Sequence, residues 1–248
     1  MEWAGVAGAL LAGLAAGWVA GVLVARVPGR DGLRPPLRCQ RCSVALRWPD
    51  MVPVLGWLRR RGRCRSCGES YGGWYLAVEL ITPALFLALW LRFGLVPLLP
   101  ALAYLATVSV ALGFIDAAHQ RLPDALTLPS YPIALVLLAI SVPFVTGGLR
   151  HLVEALIGMA IAWLLFVVQA FIYPAGIGWG DVKLSGLLGL YLGWFGLTDV
   201  AYGLFGGYLL AAVAGLGLIA AGRATRKTRL PFGPFLLGAT LAVILVRP

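Results

Sequence analysis

Uncharged, apolar stretches follow one another along almost the whole chain, and charged residues gather in the gaps between them. Runs without a charge cover Trp3 to Ala25, Phe93 to Ile115, Ala125 to Leu149, Ala155 to Gly180, Val200 to Gly222 and Leu230 to Val246. Two weaker apolar stretches complete the pattern. One runs from about Trp74 to Leu91 and contains Glu79; the other runs from about Leu184 to Thr198. A helix needs roughly 17–25 residues to cross a bilayer. The pattern predicts about eight transmembrane helices, with the sixth short for a crossing. An outer-membrane barrel would alternate polar and apolar residues, and these runs do not.

Composition agrees. Of 248 residues, 60% are hydrophobic and only 12% are charged, and the mean hydropathy is +0.89. No soluble domain of this length could hide so much apolar surface. The expected fold class is all-α, a polytopic membrane protein carrying one small soluble insert. The first run is longer than a signal-peptide core, starts with Glu2 rather than a basic residue, and leads to arginines. It is read as a retained helix.

The net charge of +10 is concentrated. Ten arginines (30, 34, 38, 41, 47, 59, 60, 61, 63 and 65) lie between Pro28 and Gly73, against Asp31, Asp50 and Glu69. Excess positive charge marks a cytoplasmic loop, which sets the N-terminus outside. Alternation then places residues 115–124, 174–183 and 223–229 inside. The last of these carries Arg223, Arg226, Lys227 and Arg229, as the rule expects. The turns near Arg92, residues 147–151 and Asp199 face outward. Three parts result: a first transmembrane helix over 1–27, a cytoplasmic insert over 28–73, and a helical membrane core over 74–248. Pro97 and Pro100 are expected inside the third span, and Pro129 and Pro132 early in the fourth. Pro174, Gly176, Gly178 and Gly180 mark a break before the sixth. Non-helical backbone at membrane depth must be buried in protein or line a cavity.

The insert contains all four cysteines, in the pairs Cys39/Cys42 and Cys64/Cys67, separated by 21 residues. Two CxxC turns at this spacing suit a tetrahedral zinc ion. Four sulfur ligands would leave no open position, so such a zinc is structural. Two disulfides or four thiols are the alternatives; a cytoplasmic loop argues against disulfides. The many arginines also suit a nucleic-acid module. The interspersed Trp48, Pro53, Leu55, Trp57 and Leu58 instead favour lipid or the helices as neighbours, with the arginines meeting anionic headgroups. Membrane lipids are the expected partner, and nucleic acid is not.

Two carboxylates stand out because a charge is costly in so apolar a chain. Asp116 ends the third span in IDAAHQRLPD; Asp181, 65 residues later, begins the sixth in GWGDVKL. Both are expected at the inner boundary of the bilayer. Two carboxyls a few ångströms apart share one proton, so one activates water while the other polarises a carbonyl. In that reading Gly178 and Gly180 let a substrate strand approach, and Lys183 positions or tunes Asp181. Glu79, about one turn into the second span, could hold a substrate amine. The plainer alternative is that the aspartates cap helices, Asp181 the sixth and Asp124 the fourth. A carrier of protons or cations would also need buried carboxylates.

These motifs resemble those of the prepilin leader peptidases, also called type 4 prepilin peptidases and N-methyltransferases. The block Ile115-Asp116 through Leu122-Pro123-Asp124 to Thr127-Leu128-Pro129 looks like the family's first aspartate motif. Gly178-Trp179-Gly180-Asp181-Val182-Lys183-Leu184 looks like its GxGDxKL motif, and Pro231-Phe232-Gly233-Pro234-Phe235 like its last-helix motif. The paired CxxC insert is similar to that of the bifunctional members. The resemblance implies an aspartic endopeptidase with Asp116 and Asp181 as its catalytic pair. It would remove the leader of prepilins or pseudopilins at the cytoplasmic face. It would then methylate the new N-terminus from S-adenosylmethionine, with zinc on Cys39, Cys42, Cys64 and Cys67. The N-terminal third departs from the family's usual pattern at Gly21, Met51 and Leu76.

Overall fold

The structure, a computed structural model, describes residues 3–26, 42, 44, 54, 58, 59, 61–70, 73–173, 176–225, 228 and 230–247. Eight long α-helices occur among them: α1 (Trp3–Arg26), α2 (Trp74–Phe93), α3 (Leu99–His119), α4 (Asp124–Ser141), α5 (Gly148–Ile172), α6 (Trp179–Phe195), α7 (Leu197–Ala220) and α8 (Gly233–Val246). A 3-10 turn, Val142–Phe144, follows α4. No strand forms among the described residues; an isolated bridge joins Arg63 and Ser70.

Six of these helices are long and apolar enough to cross a membrane: α1 to α5 and α7, the fourth counted with its 3-10 turn. With 17 and 14 residues, α6 and α8 are shorter. Of the eight crossings expected, six are helices of crossing length among the described residues. The uncharged runs also misplaced some boundaries. Pro97 precedes α3 and Pro100 lies in its first turn, where a missing N–H costs nothing. Helix α5 begins at Gly148, so Glu154 lies within it. A run without charges marks apolar depth, and turns made of Gly, Pro and Val are invisible to it.

The chain divides into two compact units, Met1–Phe114 and Ile115–Pro248, with the division inside α3. In the first unit α1 packs on α2. The approach is close because α1 presents glycines. A Cβ on Gly13 would sit 2.4 Å from the Pro83 Cα, and one on Gly17 would sit 3.4 Å from the Glu79 Cα. Small residues are what allow apolar helices to pack when lipid is the competing neighbour.

In the second unit α6 is the centre. Every residue from Leu184 to Trp194 is buried. It is packed by α4, α5, α7 and α8. Its contact with α5 is backbone against backbone: a Cβ on Gly189 would lie 2.4 Å from the Gly158 carbonyl oxygen. At the far end of α6, Arg247 pairs with Asp199 at 3.0 Å and covers the Phe195 ring at 4.7 Å. At the near end lie the aspartates.

Candidate active site

Asp116 lies in the last turn of α3 and is only 5% exposed. Its Oδ2 accepts a hydrogen bond of 3.0 Å from the backbone N–H of Gly233, the first residue of α8. A helix N-terminus has unsatisfied N–H groups and partial positive charge, so it is a natural partner for a carboxylate. The sequence reading placed Asp116 correctly at the end of a helix but did not foresee this partner, although Gly233 lies in a motif it had noted.

Asp181 occupies the first turn of α6. It stands three residues after the N-cap, Gly178, and its carboxylate is met by the Gly178 backbone N–H. That is the returning half of a capping box, with the acid reaching back to the N-cap. The Asp116 and Asp181 carboxylates are close enough to feel each other's charge. Two acids held at helix N-termini within coulombic reach can share a proton.

The neighbouring residues behave differently from expectation. Lys183 turns to Asp124, with Nζ 2.7 and 2.8 Å from its two carboxylate oxygens. Its carbonyl accepts from the Tyr131 hydroxyl. Lys183 thus ties α6 to α4. Asp124 makes no side-chain cap; Pro123 is the N-cap of α4. The space beside Gly180 is taken by Leu122, whose Cβ would be 2.9 Å from an added Cβ, whereas a Cβ on Gly178 would make ordinary contacts, 3.4 Å to Asp181 Oδ2 and 4.0 Å to the Gly180 nitrogen. Pro174 and Ala175, part of the expected cavity-lining turn, lie outside the described residues.

Sequence reasoning missed Gln169 and Tyr208. The Tyr208 hydroxyl donates to Gln169 Oε1, and Tyr208 lies within coulombic reach of Asp181. Its ring packs at a tilt against Phe232, with centroids 5.0 Å apart. A glutamine in the uncharged stretch that follows Glu154 in α5 was the available signal.

In the first unit Glu79 is 2% exposed. Its Oε2 accepts from the Val54 N–H at 2.7 Å. Tyr75 lies near both Glu79 and Arg26. The sulfurs of Cys42, Cys64 and Cys67 all lie within 4.8 Å of one another. The Cys42 and Cys64 sulfurs are 3.7 Å apart. Gly68 takes φ +70° beside the second pair, and its N–H donates to the Cys64 carbonyl. A bend of that kind is open to glycine. These three thiols could hold a metal ion; Cys39 lies outside the described residues.

Comparison with known proteins shows the family. Residues 11–93 match the family model described as the bacterial peptidase A24 N-terminal domain. Residues 103–246 match the type IV leader peptidase family. Among curated proteins, the chain is similar to a prepilin leader peptidase/N-methyltransferase of Myxococcus xanthus, with 37% identity over 87% of this chain and 64% of that protein. A protein of the same description from Burkholderia pseudomallei is 36% identical over 88% of this chain and 70% of its own length. One from Bacillus subtilis is 28% identical over 86% and 82%. No solved structure matches the chain. One family model covers the second unit with its two aspartates and the other covers most of the first with its cysteine pairs, so the chain belongs to the type IV leader peptidase family.

Proposed function

We propose that this protein is a membrane aspartic endopeptidase that removes the leader of prepilins or pseudopilins. We further infer that it methylates the new N-terminus from S-adenosylmethionine. The observation that carries the first part is the pair Asp116 and Asp181, each at a helix end, each met by a backbone N–H, and within coulombic reach. The names of the relatives support both activities.

One carboxylate of the pair is charged and one protonated. The charged one takes a proton from water as the oxygen attacks the scissile carbonyl carbon. The protonated one gives its proton to the carbonyl oxygen. The tetrahedral intermediate then breaks its C–N bond, and the leaving amine takes up a proton from the pair. The reaction is hydrolysis of one peptide bond by one water, without net change in the enzyme. The substrate's apolar helix would lie against the enzyme's helices and hold the leader junction at the dyad.

The arginine-rich insert argues for a cytoplasmic position of residues 28–73, an outside N-terminus and a dyad at the inner face of the cytoplasmic membrane. The metal is proposed to be zinc. Sulfurs in a tetrahedral zinc site with bonds of about 2.3 Å lie about 3.8 Å apart, and Cys42 and Cys64 are at 3.7 Å. Cys39 is the proposed fourth ligand, and the ion supplies folding energy to an insert too small for a core. Prepilins and lipids are the proposed partners.

Incubation of the purified protein with a synthetic leader-bearing prepilin and S-adenosylmethionine tests the reading. The expected masses are those of the freed leader and of the mature chain with one added methyl group. Uncut substrate would overturn the peptidase; a cut chain that never gains methyl would overturn the second activity alone.

A further inference from the structure

We propose that Gly233 is a positioning residue for the reaction, and that the N-terminus of α8 delivers the Gly233 N–H to Asp116. This rests on the peptidase reading above. At the start of α8 the donors can be followed one by one. The N–H groups of Phe235 and Leu236 both donate to the Phe232 carbonyl, at 3.1 and 3.2 Å. Pro234 has no N–H to give. Gly233 is left, and its N–H goes 3.0 Å to Asp116 Oδ2, in a buried bond. A first-turn donor that would otherwise be an unsatisfied group in an apolar interior is thereby used up.

The residue must be glycine for a second, independent reason. A Cβ on Gly233 would stand 2.8 Å from Asp116 Oδ2 and 3.3 Å from its Cγ. That is closer than real Cβ atoms come, and Asp116 is too enclosed to retreat freely. The neighbouring Phe232 fixes the approach. Its ring packs on Tyr208 at 5.0 Å and on Phe166 at 6.1 Å, so the N-terminus of α8 is anchored to α7 and α5. The consequence is rotational. A carboxylate held at one oxygen cannot spin about its Cβ–Cγ bond, so the same oxygen always faces the reacting water. Misplacing a reacting group by about 1 Å costs on the order of 10²-fold in rate.

The test uses the full-length protein and the leader-bearing substrate. Gly233→Ala is expected to lower kcat on the order of 10²-fold with KM within about threefold of the unmodified protein. Gly238→Ala, on the same helix with nothing within 4 Å of the added carbon, is expected to leave kcat and KM unchanged. A role confined to packing of α8 would lower the yield or melting temperature of Gly233→Ala and leave kcat of the folded protein intact; that result overturns the proposal. If Gly233→Ala does not accumulate as folded protein, Phe232→Leu decides, because it loosens the anchor without crowding Asp116. A reduced kcat at unchanged KM supports the proposal, and unmodified kinetics overturn it. Failure of the unmodified protein to cut at all would instead refute the peptidase reading on which this rests.

Discussion

Glu79 and Asp116 are both nearly inaccessible carboxylates on apolar helices, and each accepts a hydrogen bond from one backbone N–H. By burial and by count of partners they are alike. They differ in what else is near. Asp116 has a second carboxylate, Asp181, within coulombic reach. Glu79 has Tyr75, which in turn lies near Arg26. An acid beside an acid is forced to hold a shared proton, which is a reagent. Glu79 has no second carboxylate of that kind beside it among the described residues. The donors differ too. Gly233 opens a helix, whereas Val54 belongs to the insert and has φ +58°, a conformation uncommon for a β-branched residue. On the proposed reading Asp116 is half of a dyad, and the bond from Val54 suits Glu79 to anchoring the insert.

The largest effect that could break this contrast lies in the dyad. Asp116→Asn and Asp181→Asn are each expected to reduce cleavage by on the order of 10³-fold or more, since neither remaining acid can both give and take the proton. Glu79→Gln is expected to keep cleavage within a few-fold. Mass measurement of leader release checks all three. Cleavage surviving in either aspartate variant would remove the distinction.

Next in size is the metal. Stripping zinc, or Cys64→Ser, is expected to unfold the insert, because metal binding in such small modules is itself folding free energy of roughly 10–16 kcal/mol. Metal analysis should give about one zinc per chain before treatment and none after. Limited proteolysis should then cut within residues 28–73. An insert equally resistant without metal would show that Glu79 and the helices, rather than sulfur ligation, hold it.

A smaller effect is expected from Glu79→Leu. It leaves the Val54 N–H without its acceptor, at a cost of about 1–3 kcal/mol if the site stays closed to water. Proteolysis of the insert should quicken, by less than after zinc removal. Glu79→Gln keeps an acceptor oxygen and should lie close to the unmodified protein.

Much of this was legible in the sequence, for identifiable reasons. Hydropathy marks helices well where a charge or polar group interrupts them, so α1 and the position of Asp116 at a helix end were readable. It fails at turns made of apolar residues, and so it ran α4 on to Leu149, past the true end at Ser141. The aspartates announced themselves by cost, being charges in an apolar chain. Gly233 could not do so, because its contribution is a backbone N–H that every residue but proline carries. Lys183 was misread toward Asp181, two positions away, because spacing along a chain cannot say which way a long side chain turns.

The mildest substitution sharpens the contrast from outside. Asp124 is a third carboxylate, eight residues after Asp116. It is more than half exposed, and its partner Lys183 is one-third exposed. Water and salt screen such a pair, so it contributes about 0–1 kcal/mol. Asp124→Asn keeps the shape and one acceptor oxygen, and Lys183 keeps its second tie to α4 through Tyr131. Cleavage is expected within about twofold of the unmodified protein, with a melting temperature lowered by no more than a few degrees. A loss comparable to that of Asp181→Asn would mean that solvent exposure had misled the choice of acids. The reacting pair would then have to include the carboxylate at the start of α4 instead of the one at the end of α3.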